Sequence, residues 1–229
     1  MSRRGEILKE MGLGPVWKLR TGVSRDISSP EEEKQASAET REAGILNMDW
    51  PQLKARVAGC TDCKLRAGCS QTVFGVGDEK AEWMLVGEAP GSEEDRLGEP
   101  FVGQAGKLLD NMLAAIALSR GRNVYIANVL KCRPPGNRNP EADEVEKCTP
   151  YLLRQIGLVK PKLIVAMGRF AAQTLLGTDA TIASLRGKVH RYAGVPLIVT
   201  YHPAYLLRNL PDKAKAWADL LFAAKTIAN

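Results

Sequence analysis

The chain has 229 residues, with 32 Lys and Arg side chains against 26 Asp and Glu side chains, which gives a formal net charge of +6. Hydrophobic residues make up 45% and charged residues 25% of the chain, as in ordinary globular proteins. This composition excludes a collagen and a wholly disordered chain. A transmembrane bundle is excluded because no apolar run approaches the ~20 residues of a membrane span. The basic N-terminus lacks the apolar segment of a signal peptide, so we expect a cytoplasmic protein with no membrane partner.

The net charge is unevenly distributed along the chain. Residues 1–48 carry eight basic and eight acidic side chains, so the whole charge of +6 lies on residues 49–229. A basic globular domain fits a polyanionic partner, because neutralising phosphates releases bound counterions. A basic surface that only confers solubility explains the same charge equally well.

Residues 1–48 are predicted to be an N-terminal extension rather than part of the globular domain. Segment 22–44 is polar and has too little apolar surface to offset its ordering entropy, which predicts a disordered linker. Before it, apolar side chains between residues 7 and 19 form a short amphipathic stretch. Residues 1–20 are therefore either a frayed terminus or a docking peptide for a protein partner.

From Trp50 onwards, short apolar runs alternate with helical patterns. The runs, most of them rich in β-branched residues, predict strands at 83–86, 124–127, 163–166 and 197–199. Helices are predicted at 104–118, 141–158, 169–176 and 212–227. This alternation is typical of a three-layer α/β/α domain with a central, mostly parallel four-stranded sheet.

Ligands bind to such sheets at the loops that leave the carboxyl ends of the strands. The first of these loops reads GEAPGSEED and lacks the Lys-Ser/Thr of a P-loop, which disfavours a nucleoside triphosphate. Phe101 lies in a loop bounded by Pro and Gly, where it either stacks on a flat ring or plugs the core. Asn128 offers a donor and an acceptor together, which suits the edge of a nucleobase or a turn. His202 directly follows the last strand, and we interpret it as catalytic rather than structural.

The chain has five cysteines, which are Cys60, Cys63, Cys69, Cys132 and Cys148. Cys60 and Cys63 form a C-x2-C pair, and with Cys132 and Cys148 they give four thiolates, enough for a tetrahedral zinc or an iron–sulfur cluster. Disulfides are disfavoured because nothing places the chain in an oxidising compartment. Independent thiols are the remaining alternative, and Cys69 is interpreted as lying outside the ligand set.

Three loop segments together resemble a known family, namely GEAPGSEEDRLGEPFVGQAG, NVLKCRPPGNRNP and YHPAYLLRN. With the four cysteines, they are similar to the family 4, iron–sulfur uracil-DNA glycosylases of the uracil-DNA glycosylase superfamily, over roughly residues 50–229. The resemblance implies a monofunctional base-excision-repair enzyme that flips uracil out of DNA and hydrolyses its N-glycosidic bond, leaving free uracil and an abasic site.

The same resemblance implies a monomer that is associated with the nucleoid and acts on single- or double-stranded DNA containing uracil. The alternative from a different class is a non-catalytic, four-cysteine zinc adaptor that only binds DNA. The adaptor explains the cysteines but leaves the three loops unexplained.

The resemblance also implies roles for individual residues. Phe101 would stack on the flipped uracil, Asn128 would read N3 and O4, and His202 would hydrogen-bond O2. Glu94 would lie near the C5 edge, where it would crowd the methyl group of thymine. Cys60, Cys63, Cys132 and Cys148 would ligate a [4Fe–4S] cluster, with zinc as the less favoured metal.

The resemblance implies the roles of three further residues less directly. Glu88 and Asn137 match family positions, and Glu88 is assigned to the catalytic group. Ala89 stands where family 1 relatives carry a catalytic Asp, so the sequence offers no obvious general base. The segment after Cys132 has no His, so the covalent DNA adduct of a related subgroup is not expected.

Contacts to the DNA are predicted from charge and shape. Four basic residues would hold phosphates, and a leucine would fill the vacated base stack. The basic residues are Lys131, Arg133, Arg138 and Arg208, and the leucine is Leu206 or Leu207.

Overall fold

The structure, a computed structural model, describes residues 39–228 together with Ile7, Glu10, Met11 and Gly12. Contacts divide the chain into two units, residues 1–39 and residues 40–229. Most of the predicted docking peptide and of the predicted linker lies outside the described residues.

The compact unit begins at residue 40, which differs from the predicted boundary at residue 49. Residues 40–46 are helical, and the Ile45 side chain is buried in a cluster with Leu53 and Tyr151. Arg41 donates hydrogen bonds to the Asp62 carboxylate at 2.6 Å and to a backbone carbonyl at 2.8 Å. Arg41, near the end of the predicted linker, and Ile45, directly after it, thus both belong to the packed domain, although the linker is polar in composition.

Within residues 39–228, one sheet has six strands in the order β1-β3-β2-β4-β6-β5. The strands are β1 (Val76–Gly77), β2 (Trp83–Gly87), β3 (Val124–Asn128), β4 (Leu163–Met167), β5 (His190–Tyr192) and β6 (Val195–Thr200). The inner four strands pair in parallel and are the four predicted strands, which confirms the predicted fold class. The two edge strands pair antiparallel and were not predicted.

Helices connect the strands and cover the sheet. They are α1 (Trp50–Ala58), α2 (Ser92–Leu97), α3 (Gln104–Ala114), α4 (Ala142–Val159), α5 (Arg169–Leu176), α6 (Ile182–Leu185), α7 (Pro203–Leu206) and α8 (Asp212–Ala228). Short 3-10 turns lie at Lys64–Ala67 and Pro135–Asn137. Helix α3 ends before the predicted residue 118, because the chain turns through a left-handed conformation at Ala117, where φ is 58°.

Alternate residues of the inner strands belong to different hydrophobic clusters. In β2, Met84 and Val86 pack in the cluster that includes residues of α4 and α5, whereas Trp83 and Leu85 pack in the cluster that includes residues of α3 and α8. Because side chains of a strand alternate between the two faces, both faces of the sheet are covered, as in a three-layer domain. Among the helices of the described residues, none combines the length and the apolar character needed to cross a bilayer.

Candidate functional site

A cavity of about 460 Å³ lies at the carboxyl ends of the parallel strands. Its walls are the loops after β2, β3 and β6 and the segment that leads into α3, as expected for a parallel sheet. The predicted site residues that line it are Glu88, Ala89, Glu94, Phe101, Asn128, Asn137, Arg138, His202 and Arg208. Four further residues that no sequence motif identified also line it, namely Ala105, Asn139, Ala204 and Tyr205.

Asn128 ends β3 and is only 2% exposed. Its Oδ1 atom is buried and has no hydrogen-bond partner among the described residues. Gly87 is its register partner on β2, and a Cβ atom at position 87 would lie 2.4 Å from Oδ1. Glycine therefore leaves room for the amide, and the unpaired acceptor, costly when buried, is available to a ligand N–H.

Phe101 forms part of the cavity wall from a strained backbone. Its φ of 56° lies in the left-handed region, which is unusual for an aromatic residue. The ring lies 5.4 Å from that of His202, with an interplanar angle of 31°. Glu94 Oε1 accepts hydrogen bonds from the backbone N–H groups of Val102 at 3.0 Å and Gly103 at 3.2 Å. Glu94 therefore fixes the loop that carries the ring, in addition to lining the cavity.

His202 is the N-cap of α7, and its Nδ1 accepts the backbone N–H of Ala204 at 3.1 Å. Burial lowers the pKa of the imidazole to about 4, with Glu94 opposing the shift and Arg208 reinforcing it. The ring is therefore neutral at pH 7. Because Nδ1 accepts, the single proton belongs to Nε2, which makes Nε2–H a neutral hydrogen-bond donor.

Glu88 and Ala89 follow β2 and both line the cavity, but only Glu88 has an ionisable side chain. Burial raises the pKa of the half-buried Glu88 carboxyl, although the nearby positive charge of Arg169 opposes the shift. Ala89 contributes no ionisable group.

Asn137 lines the cavity from the segment after β3. Its φ of 55° is left-handed, and its Oδ1 accepts a hydrogen bond from Arg133 Nε at 2.8 Å.

Two of the predicted DNA contacts are wrong because the side chains are buried. Lys131 is 2% exposed, and its Nζ donates to the backbone carbonyl of Asn128 at 2.8 Å and to Gln155 Oε1 at 2.7 Å. Burial lowers the pKa of this ammonium group to about 7. Leu206 is 1% exposed and packs into the protein from α7. Both side chains are thus directed into the protein and away from its surface.

The other predicted DNA contacts stay predictions. Leu207 is 41% exposed, and Arg208 is exposed at the rim of the cavity. Arg138 also lines the cavity, but its guanidinium pairs with Glu144 at 2.5 Å and with Glu141 at 3.1 Å. Its positive charge is therefore partly neutralised within the protein.

All five cysteines are free thiols, and Cys60 differs from the others in packing against the cluster that contains Ile45 and Tyr151. Cys69, Cys132 and Cys148 are buried in the same hydrophobic cluster, and Cys63 packs against it. Burial raises the pKa of Cys148 to about 11, and charge on Cys63 and Cys60 adds to the shift. Within the described residues, no three His, Cys, Asp or Glu side chains form a group arranged to hold a metal ion. The predicted ligands are thus neighbours without coordination geometry.

Tyr205 is the most prominent lining residue that the sequence analysis did not identify. Its ring stacks on that of Tyr201 with centroids 5.1 Å apart, and its hydroxyl donates to Asp212 at 2.7 Å. Helical spacing could have identified Tyr205, because a residue three positions after His202 lies on the same side of α7.

Comparison with known proteins gives consistent matches over this domain. A family model described as the uracil DNA glycosylase superfamily matches residues 74–221, a range that includes every residue lining the cavity. A type-4 uracil-DNA glycosylase of Archaeoglobus fulgidus is 50% identical over 159 residues, covering 66% of this chain and 79% of that protein. Its counterpart from Pyrobaculum aerophilum is 45% identical over 181 residues, covering 76% of this chain and 92% of that protein. A type-4 uracil-DNA glycosylase of Thermotoga maritima is 43% identical over 162 residues, covering 70% of this chain and 84% of that protein.

Proposed function

Because the chain belongs to the uracil DNA glycosylase superfamily, we propose that it is a DNA repair glycosylase that excises uracil from DNA. It hydrolyses the N-glycosidic bond and leaves free uracil and an abasic site. One observation carries the proposal beyond the names of the relatives. A single cavity combines an aromatic ring, a buried amide with an unpaired acceptor and a neutral imidazole donor.

Selection of the base follows from the hydrogen-bonding pattern of uracil. The enzyme first extrudes the nucleotide, which costs a few kcal/mol in a duplex and less where pairing is poor. Asn128 Oδ1 accepts the N3–H group of uracil, and its amide NH2 donates to O4. Cytosine has a lone pair at N3 and an amino group at C4, so it opposes both contacts. Phe101 stacks on the ring, and Glu94 lies at the C5 edge, where it crowds the methyl group of thymine.

The chemical step depends on stabilising the departing base. As the N-glycosidic bond stretches, the sugar becomes oxocarbenium-like and negative charge accumulates on O2 and O4 of uracil. His202 Nε2–H donates to O2, while the Asn128 amide donates to O4. Both donors bind the departing anion more strongly than the intact nucleotide, which lowers the barrier. Loss of one such donor costs roughly 10²–10³ in rate.

Water attacks C1′ from the GEAPG side of the cavity. Ala89 supplies no base, so the water is held by backbone carbonyls of Glu88–Pro90 and by the Glu88 carboxyl. An oxocarbenium-like sugar is strongly electrophilic, and a positioned water therefore needs little activation. As its oxygen bonds to C1′, the water releases a proton to solvent, and the departed uracil anion takes up a proton from solvent. Asn137 belongs to the same wall and contacts the bound nucleotide.

Contacts to the DNA backbone come from basic residues at the cavity and beside it. Arg133, Arg138 and Arg208 hold phosphates, while the exposed Leu207 fills the vacated stack. The enzyme acts as a monomer on single- or double-stranded DNA in the cytoplasm, in association with the nucleoid. Docking of residues 1–20 on a protein partner stays part of this proposal.

The four cysteines hold a [4Fe–4S] cluster, with Cys69 outside the ligand set and zinc as the alternative metal. The chemistry of the donors supports this proposal, because four thiols from segments that are distant in the sequence lie near one another. When bound, the cluster supplies a structural cross-link between these segments and compensates the thiolate charges. Broad visible absorption with stoichiometric iron and sulfide is expected of the purified protein, whereas a colourless zinc protein contradicts this assignment.

The decisive experiment is an excision assay with the full-length protein. Labelled oligonucleotides carry one uracil as a single strand, opposite guanine or opposite adenine, and matched controls carry thymine or cytosine at that position. Alkaline treatment then cleaves the strand wherever an abasic site has formed. Cleavage confined to the uracil substrates supports the proposal, whereas DNA binding without excision contradicts it and favours the zinc adaptor.

A further inference from the structure

The loop that carries Phe101 is anchored from outside the cavity by Arg120. This arginine lies in the connection between α3 and β3, and it does not line the cavity. Its Nη1 donates to the carbonyl of Pro100 at 2.7 Å, and its Nη2 donates to the carbonyl of Phe101 at 2.7 Å. The guanidinium also pairs with the carboxylate of Asp110 at 3.0 Å.

These two carbonyls belong to the peptide groups on either side of the Phe101 Cα atom. Fixing both peptide planes fixes φ and ψ of the residue between them. The Phe101 φ of 56° is a strained conformation that persists only where the surroundings determine it. Arg120 therefore holds the backbone of Phe101 in a conformation that an aromatic residue rarely adopts by itself.

Two further contacts complete the anchoring of this loop. Glu94 accepts the backbone N–H groups of Val102 and Gly103, so it binds the donor side of the loop from within the cavity. Gly106 on α3 leaves space for the carbonyl of Phe101, since a Cβ atom there would lie 1.7 Å from that oxygen. Arg120 is the anchor on the acceptor side.

We propose that Arg120 is a positioning residue for base excision, which keeps the Phe101 ring oriented for stacking on the extruded base. The inference rests on the proposed function, and it assigns Arg120 no contact with the substrate. The planar guanidinium suits the role, because it donates to two carbonyls at once from a fixed geometry, whereas a lysine ammonium has no such fork.

A double-mutant cycle tests this role. Single-turnover excision is measured at saturating enzyme for the wild type, Arg120→Ala, Phe101→Ala and the double variant. We expect Arg120→Ala to lower the excision rate about tenfold. DNA affinity should stay unchanged within about twofold, because the proposed phosphate contacts do not come from this loop. In the Phe101→Ala background, the same substitution is expected to change the rate less than about twofold, since coupled residues are not additive.

Two other variants serve as controls. Asp110→Asn removes the ion pair of Arg120 but leaves both carbonyl contacts, so its rate is expected within about twofold of the wild type. Arg120→Lys retains the charge and loses the fork, so an intermediate rate is expected. If Arg120→Ala does not yield folded protein, as judged by circular dichroism, the cycle is run with Arg120→Lys, for which the same loss of effect in the Phe101→Ala background is required.

The outcomes separate the inference from the proposed function. Wild-type protein that fails to excise uracil contradicts the proposed function itself. Active wild-type protein with an unaffected Arg120 variant contradicts the inference alone. An equal loss of rate in both backgrounds also contradicts it, because that result assigns Arg120 a general structural role independent of Phe101.

Discussion

Two strand ends at the same edge of the sheet differ in whether their buried polar side chains are hydrogen-bonded. At the end of β3, Asn128 Oδ1 is buried without a hydrogen-bond partner in the described part of the chain. At the end of β6, the buried Thr200 hydroxyl donates to Asp219 at 2.8 Å. The same carboxylate also accepts two hydrogen bonds from Arg186, at 2.6 Å and 2.8 Å.

The unpaired Asn128 Oδ1 is available to a ligand, whereas the paired Thr200 hydroxyl stabilises the fold. A buried acceptor without a partner destabilises the folded protein, so it is retained where a ligand completes it. The network of Thr200, Asp219 and Arg186 is complete by itself and fixes α8 against the strand from which His202 emerges. Substitution at the first strand end should therefore alter the reaction, and substitution at the second should alter stability.

The largest expected effect comes from Asn128→Asp. An aspartate keeps the shape of the side chain but replaces the NH2 donor with negative charge, which repels the developing uracil anion. We expect the single-turnover rate of uracil excision to fall roughly 10²–10³-fold, as for other lost donors at a developing oxyanion. Quenched-flow or manual sampling with alkaline cleavage measures it.

The matched control for this variant is Asn111→Asp on the exposed face of α3, away from the cavity. It introduces the same change of charge and should leave the rate unchanged. If Asn128→Asp excises uracil at the wild-type rate, the amide does not contact the leaving base.

The second expected effect is that stability and the excision rate change over different ranges of pH. His202 has an ordinary pKa of 6.5 that burial lowers to about 4, so between these values the unfolded chain binds a proton that the folded chain does not. Stability therefore falls as the pH falls from 6.5 towards 4, because the unfolded state gains protons. Protonation of His202 should leave the rate per folded molecule unchanged down to about pH 5, and should lower it below that pH as protonated Nδ1 can no longer accept the Ala204 N–H.

Single-turnover rates and melting temperatures measured on the same samples from pH 7 to pH 4.5 test this division. His202→Gln is the control for stability, since it removes the titrating imidazole and should make the melting temperature depend less on pH between 6.5 and 5. A drop in the wild-type rate centred near pH 6.5 contradicts a buried, neutral His202.

The strands and loops differ in how far the sequence predicts them. Each inner strand contains a run of three or four apolar residues between turn signals, so local pattern alone locates it. Strands β1 and β5, with two and three residues, are too short to show a period. The parallel order then brings the loops that carry Phe101, Asn128 and His202 to one edge, which is why their convergence was predictable.

Burial of individual side chains was less predictable, because it depends on contacts between distant residues. Lys131 resembles a phosphate ligand in sequence, yet its partner Gln155 lies 24 positions later in α4. Leu206 and Leu207 are adjacent and chemically identical, and only the turn of α7 decides which one faces inward. Arg120 carries no motif, and its importance depends on carbonyls 19 and 20 positions earlier.

The smallest expected effect on the rate comes from Asp219→Asn, at the strand end where every group is paired. The substitution removes the charge that Arg186 faces and leaves a half-buried guanidinium with a weaker acceptor. We expect a loss of on the order of 3 kcal/mol in stability. For a chain of this size, that corresponds to a decrease of roughly 6–12 °C in melting temperature. The excision rate of folded protein should stay within about twofold of the wild type, because Asp219 does not line the cavity.

The matched control is Asp179→Asn, at an exposed carboxylate, which should change neither the stability nor the excision rate. A large loss of rate at full folding would mean that the second strand end also shapes the reaction, and the contrast between the two ends would then fail.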